Sequence, residues 1–156
     1  MKKILVILIG LFLANTAFAQ ETSKNSNGII TLDPPTILRP ARYSHGKVVP
    51  MDAQMLFTAG QVGSDINGKY YDTIEEQADQ AFKNLYDVVK AAGMDSENVL
   101  KITMFYLHRE HIGIIINARN KYFGEDFRPN STALVVKSLA NEKILVEVEA
   151  IAAKVN

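Results

Sequence analysis

Residues 73–93 constrain the fold more than any other stretch. Thr73-Ile74-Glu75-Glu76 is a capping box, in which the threonine oxygen takes the backbone N–H of Glu76 and the glutamate reaches back to its own cap. From there Ala78, Ala81, Phe82, Leu85, Val88, Val89 and Ala92 recur every three or four residues, Tyr86 broadens the stripe, and Gly93 closes it. A helix with one apolar stripe must lie on another apolar layer. The surrounding chain offers strands for that layer. Leu100, Ile102, Met104 and Tyr106 alternate with Lys101, Thr103 and Phe105, and further strands are predicted at Tyr43–Val49, Met55–Ala59, Ser131–Lys137 and Ile144–Ala153. Ile112–Phe123 reads as a second, apolar-rich helix, and Asp65-Ile66-Asn67-Gly68 as a turn before the first. The order β-β-α-β-α-β-β predicts an α+β domain, a mixed sheet with two helices packed on one face.

The N-terminal end does not share this pattern. Lys2-Lys3, the apolar run Ile4–Leu13 and Ala17-Phe18-Ala19 have the layout of a signal peptide, so residues 1–19 are expected to be removed and the mature chain to be periplasmic or secreted. The apolar run is too short for a retained membrane span. Residues 20–28 are polar and are expected to form a flexible leader, with the domain occupying residues 29–156. Pro34, Pro35 and Pro40 then favour an extended lead-in toward Tyr43. The chain has no cysteine, which excludes a disulfide framework, a thiol nucleophile and a lipidated N-terminus. With 17 basic and 17 acidic residues, and two of the lysines in the expected signal peptide, the mature chain carries a formal charge of −2. Such a balance gives no support for a nucleic-acid or anionic-membrane partner and favours a small molecule.

The last third is the most specific. Phe127-Arg128-Pro129-Asn130-Ser131-Thr132 leads to Val146-Glu147-Val148-Glu149-Ala150-Ile151-Ala152, and both follow Thr58-Ala59-Gly60-Gln61-Val62-Gly63 upstream. From about Tyr43 to Ala153 the chain resembles the Rid (YjgF-like) family, whose active members hydrolyse enamines and imines as reactive-intermediate deaminases. The resemblance implies the family's chorismate mutase-like fold, a homotrimer whose sheets close into a barrel, and ligand pockets in the clefts between subunits. It implies no cofactor and no metal. It also assigns residues. Tyr43 takes the place of the family's N-terminal tyrosine, Gly60 that of the glycine at its Ser-Gly-Gln strand end, and Glu147 that of the first glutamate of Glu-Ile-Glu-Ala-Ile-Ala. Asn117 lies one residue out of step with the helix asparagine, and Thr132 and Ala133 follow the site in the strand. The chain departs from the pattern where the family's Pro-Ala-Arg-Ser or Pro-Ala-Arg-Thr motif carries the arginine that clamps a substrate carboxylate, because that position is Ser131. Ala59 and Ala133 replace a serine and a frequent cysteine.

A hydroxyl donates one hydrogen bond, whereas a guanidinium offers a charge and a planar fork. Arg42, Arg119 and Arg128 are the residues from which a replacement charge could come. By its chemistry alone, Glu147 on an apolar strand is a candidate general acid or water-positioning base, and Glu147 and Glu149 on one strand face equally suit a polar rim. His108 and His111 stand three apart beside Glu110 but have no evident third ligand, and they read as solvated loop residues. Two functions remain: hydrolysis of a small enamine, imine or related carbonyl compound with Glu147 as the catalytic residue, or noncatalytic binding or scavenging of a small ligand on the same trimeric scaffold.

Overall fold

The computed structural model describes residues 21–24 and 28–155, so the expected signal peptide at 1–19 lies outside the described residues. Two sheets are present. The smaller has the order β1-β2-β3, from Glu21–Lys24, Ile30–Asp33 and Gly46–Val48, all antiparallel. Part of the segment read as a flexible leader therefore pairs with β2.

The larger sheet is mixed and carries the helices on one side. Its path is β4 (Gln54–Phe57), β8 (Val146–Lys154), β6 (Val99–Tyr106) and β7 (Asn130–Val135), with β5 (Gln61–Val62) also pairing with β8. Only β6 and β7 run parallel, and α2 (Ile112–Phe123) makes the crossover that a parallel pair requires. The first helix, α1 (Ile74–Ala91), begins with the expected capping box at Thr73, and Gly93 takes φ +70 at its end. The preceding turn closes around Asp65, whose Oδ1 accepts from the N–H groups of Asn67 and Lys69, with Gly68 at φ +79.

The main core lies between α1, α2 and one face of the sheet. Ala78, Ala81, Phe82, Leu85 and Val89 from α1 meet Ile102 and Met104 from β6 and Val146, Val148 and Ala150 from β8. Gln77 does what the apolar stripe could not reveal. It is almost wholly buried, its amide Nε2 donates to the carbonyls of Tyr71 and Lys143, and its Oε1 accepts from the N–H of Leu145. Those bonds fix the start of β8 against α1. Gly63 makes that approach possible, since a Cβ there would come within 2.5 Å of the Gln77 Cβ and 2.6 Å of its carbonyl oxygen.

The other face of the sheet is open. Phe57 pairs with Ile151, Phe105 with Glu147, and Leu134 with Phe105, so these side chains share the side away from the helices. Phe57 is 69% exposed and Leu134 42%. The strand predicted at Ile144–Ala153 begins two residues later, at Val146, so Leu145 precedes β8 and packs against the main core. The reason is local: the turn closed by the Ile144 N–H on the Asn141 carbonyl delays strand alternation until Val146. Ile151 itself is partly covered, by a small cluster with Ile29, Leu100 and Ala153 at one end of the face.

Candidate functional site

Glu147 and Gly60 form one half of the arrangement. Four residue steps separate Phe57 from Gln61, while their partners Ile151 and Val148 are three apart, so the segment Thr58–Gly60 contains one extra residue opposite β8. A bulge of this kind bends a strand and re-aims its groups. Thr58 anchors it with both ends, its N–H donating to the Ala150 carbonyl at 3.1 Å and its Oγ1 accepting from the Ala150 N–H at 2.9 Å. The backbone of Gly60 thereby comes up against the Glu147 side chain. A Cβ on Gly60 would overlap Glu147 Oε1 and lie 2.7 Å from Cδ and 2.9 Å from Cγ. Only glycine admits the carboxylate here. Glu147 is half-buried and Gly60 open to solvent, so a small molecule can reach the oxygen and the adjacent backbone together.

The other half lies at the start of β7. Ser44, nearly fully buried, ties the lead-in segment to this strand: its N–H donates to the Pro129 carbonyl, and its Oγ reaches the Arg128 carbonyl and Asn130 Oδ1. Arg128 adds a second tie. Its Nη2 donates to the carbonyls of Pro40 at 2.8 Å and Tyr43 at 2.9 Å and pairs with Asp33 at 3.3 Å, while Asp33 Oδ1 accepts the N–H of His45. Arg128 thus spends its Nη2 on holding the loop, while its Nε is buried without a partner. Tyr43 is held by its backbone, with its ring edge-on to His45 and 39% of the residue exposed. Ser131, Thr132 and Ala133 lie next along the strand. Ser131 pairs with Ile102, which places it on the helix-covered side, and its Oγ is buried with no partner. Thr132 pairs with Thr103 and faces the open side with Glu149.

The two halves do not meet within one chain. β6 separates β7 from β8, and Ser131 is aligned through Ile102 with Ala150, three residues from Glu147. The separation is therefore about 10 Å across the strands and about 10 Å along them, and the two side chains leave opposite faces. The structure brings Glu147 to Gly60 and brings Tyr43 to the strand of Ser131, Thr132 and Ala133, at opposite sides of the sheet.

Asn117 joins neither group. It is exposed on α2, where the helix turns Ile115, Ile116, Ala118, Arg119 and Phe123 inward. The buried polar side chain of this helix is Arg119, 1% exposed, with Nε and Nη2 on the Asn120 Oδ1 and its guanidinium carbon 5.7 Å from the centre of the Phe127 ring. Burial, and then the neighbouring Arg42, push this guanidinium below its ordinary value. The sequence named Arg119 only as one arginine among three. An arginine three residues after Ile116 and four before Phe123, on an otherwise apolar helix face, was the available signal. The rings of His108 and His111 meet edge to face at 5.1 Å, and among the described residues no group of three His, Cys, Asp or Glu is placed to hold a metal ion.

Comparison with known proteins decides the family. The model of the endoribonuclease L-PSP family matches residues 36–154. The chain belongs to that family, the Rid or YjgF family of the sequence resemblance. It is similar to AldR of Lactococcus lactis, named as a proposed regulator, at 33% identity over 126 residues that cover 80% of this chain and 94% of AldR. It is also 33% identical over 110 residues to the mouse 2-iminobutanoate/2-iminopropanoate deaminase, covering 69% of this chain and 79% of the enzyme. Among solved structures it resembles YyfB of Yersinia pestis, a Rid family protein described as being of unknown function, with a TM-score of 0.68, 26% identity and coverage of 80% of this chain and 97% of YyfB.

Proposed function

We propose that this Rid family member binds a small molecule in a cleft between subunits and hydrolyses an enamine, imine or related small carbonyl compound there. The observation that carries the reading is the Glu147 carboxylate seated directly on the Gly60 backbone. A carboxylate held beside an approachable backbone N–H is suited to positioning water against a polarised C=N carbon while the backbone steadies the ligand's heteroatom. Tyr43, Ser131, Thr132 and Ala133 complete the cleft from a neighbouring copy, because within one chain β6 stands between the strand that carries the last three and Glu147 on β8. A cyclic homotrimer provides that neighbour, and the exposed Phe57 and Leu134 on the open sheet face are the apolar surface such an assembly would cover. The signal-peptide pattern supports a periplasmic or secreted location for the mature protein.

A second reading rests on Ser131. Without the family's arginine at that position, the same trimer serves as a noncatalytic binder or scavenger of a small ligand. One experiment separates the two. An amino-acid oxidase generates 2-iminopropanoate in situ, and its decay is followed with wild type and with Glu147→Gln. The hydrolase reading expects acceleration by the wild type and a loss of about a hundredfold or more in the variant. Equal decay with and without the wild-type protein, for this imine and for a neutral imine, leaves the binding reading.

A further inference from the structure

Lys47 borders a cavity that the cleft does not share. Its register partner on β2 is Thr31, and Asp33 lies two residues further along that strand, so the three side chains leave one face of the smaller sheet. That face looks onto a cavity of about 560 Å³. Thr31 and Lys47 line it from the smaller sheet, and Glu97, Phe123, Asp126 and Phe127 line it from the 3-10 turn at Ser96–Asn98 and from the end of α2 onward. The two phenylalanine rings are stacked, with their centres 5.0 Å apart. None of Tyr43, Gly60, Ser131 or Glu147 lines this cavity, so its chemistry stands apart from the reading above.

The amine is weakly partnered. Its one hydrogen bond goes to Thr31 Oγ1 at 3.4 Å, and among the described residues no carboxylate forms an ion pair with it. Asp33, the acid on its own sheet face, spends Oδ1 on the His45 N–H and Oδ2 on Arg128. Burial lowers the Lys47 ammonium from its ordinary value, Asp33 raises it by less, and the Arg128 cation lowers it further. An amine desolvated beside another cation keeps the lone pair that attack on a carbonyl needs. We propose that Lys47 is a second reactive site of this chain, an amine that captures a small apolar or aromatic aldehyde in the cavity as a Schiff base. The stacked Phe123 and Phe127 rings give the aldehyde an apolar seat. Lys47 Nζ bonds to the carbonyl carbon and the C=O electron pair moves onto oxygen. The two protons of the neutral amine then pass to that oxygen, which leaves as water while the nitrogen lone pair closes C=N. Glu97 and Asp126 are the carboxylates on the cavity wall that relay those protons. Amine and aldehyde give imine and water, with no oxidant or reductant.

A lysine that merely laid its stem along the cavity would react no faster than an ordinary surface lysine. Lys83 and Lys121 are the reference, because their exposed ammonium groups are hydrogen-bonded to Asp87 and Asp79 and held charged by them. The full mature chain is incubated at neutral pH with benzaldehyde and cyanoborohydride, which reduces the imine to a stable benzylamine, and the adducts are located by peptide mass spectrometry. Lys47 should acquire the benzyl group about tenfold or more faster than Lys83 and Lys121, at a rate that saturates with benzaldehyde because the aldehyde is held before it reacts. Lys47→Arg keeps the cation and should abolish the saturating reaction while leaving adducts at the other lysines unchanged. Equal labelling of the three lysines, no adduct at Lys47, or a Lys47 rate that rises linearly with benzaldehyde would each overturn the proposal. The mapping is made on the wild-type chain, so it decides the question even if the Lys47 variant folds poorly.

Discussion

Replacing Gly60 by alanine adds one methyl group and should separate function from stability. The new Cβ would sit 2.7 Å from Glu147 Cδ and 2.9 Å from Cγ, and carbon atoms rest at about 3.5 Å or more, so the carboxylate must retreat by about 1 Å. The obstacle is the end of a half-buried side chain that can rotate away, so unfolding free energy should fall by about 1 kcal/mol or less. A misplacement of about 1 Å at a reacting group costs about a hundredfold in rate. Gly63→Ala is the control. There the Cβ meets the Gln77 Cβ at 2.5 Å and its carbonyl at 2.6 Å, and a helix backbone cannot swing aside. That variant should lose about 3 kcal/mol by overpacking. Urea unfolding and imine decay, measured on both proteins, give the comparison. Wild-type turnover by Gly60→Ala would show that the Glu147 carboxylate is not at the reacting centre. A stability loss in Gly60→Ala as large as in Gly63→Ala would make the Gly60 contact structural.

Three further outcomes follow from named contacts. Gly113→Ala, on the exposed side of the first turn of α2 with nothing within 4 Å of the added Cβ, should raise unfolding free energy by about 0.5 kcal/mol in urea titration, and a decrease would contradict the helix assignment there. Arg128→Ala removes the ties to Pro40 and Tyr43 and leaves the nearly buried Asp33 without its cation, so it should cost about 2 kcal/mol and speed proteolysis of the 34–43 segment; unchanged proteolysis would mean that Ser44 alone holds the loop. Burial lowers the Lys47 ammonium from its ordinary value, more than Asp33 raises it, and Arg128 lowers it further. The charged form is therefore disfavoured in the fold, a penalty fully present below the lowered folded value and relieved as pH rises from there toward the ordinary lysine value. Lys47→Met should be more stable than wild type at neutral pH, with the gap narrowing on that alkaline approach, and a gap that widened would reverse the sign.

The sequence and the structure agree most closely where information is local. The Thr73 cap, the Gly93 stop and the alternation of Leu100–Tyr106 depend on residues a few positions apart, and each element stands where it was expected. The last strand was predicted from Ile144 and begins at Val146, because alternation reveals the period of a strand but not the residue at which it begins, which here is set by the Asn141 turn and by the Gln77 bond from a distant helix. The smaller sheet was hidden for a similar reason, since β2 ends just before Pro34 and is identified only by its partners. At the site, Gly60 and Glu147 could be named from motifs, but their contact depends on a bulge that only the register exposes. Asn117 and Arg119 differ by two positions on α2, enough to turn one out to solvent and the other under Phe127.

The central claim is that Glu147 of one copy faces the Ser131 strand of another. The chain has no cysteine, so a Glu147→Cys, Ser131→Cys double variant carries the only two thiols. The two positions lie on opposite faces of one chain's sheet, which disfavours a link within it. A short bis-maleimide reagent on the assembled protein, read on a denaturing gel, should convert the double variant into a covalent three-chain species and leave each single variant largely uncrosslinked. A double variant that stays at the single-chain position while both thiols remain reactive would contradict the shared cleft.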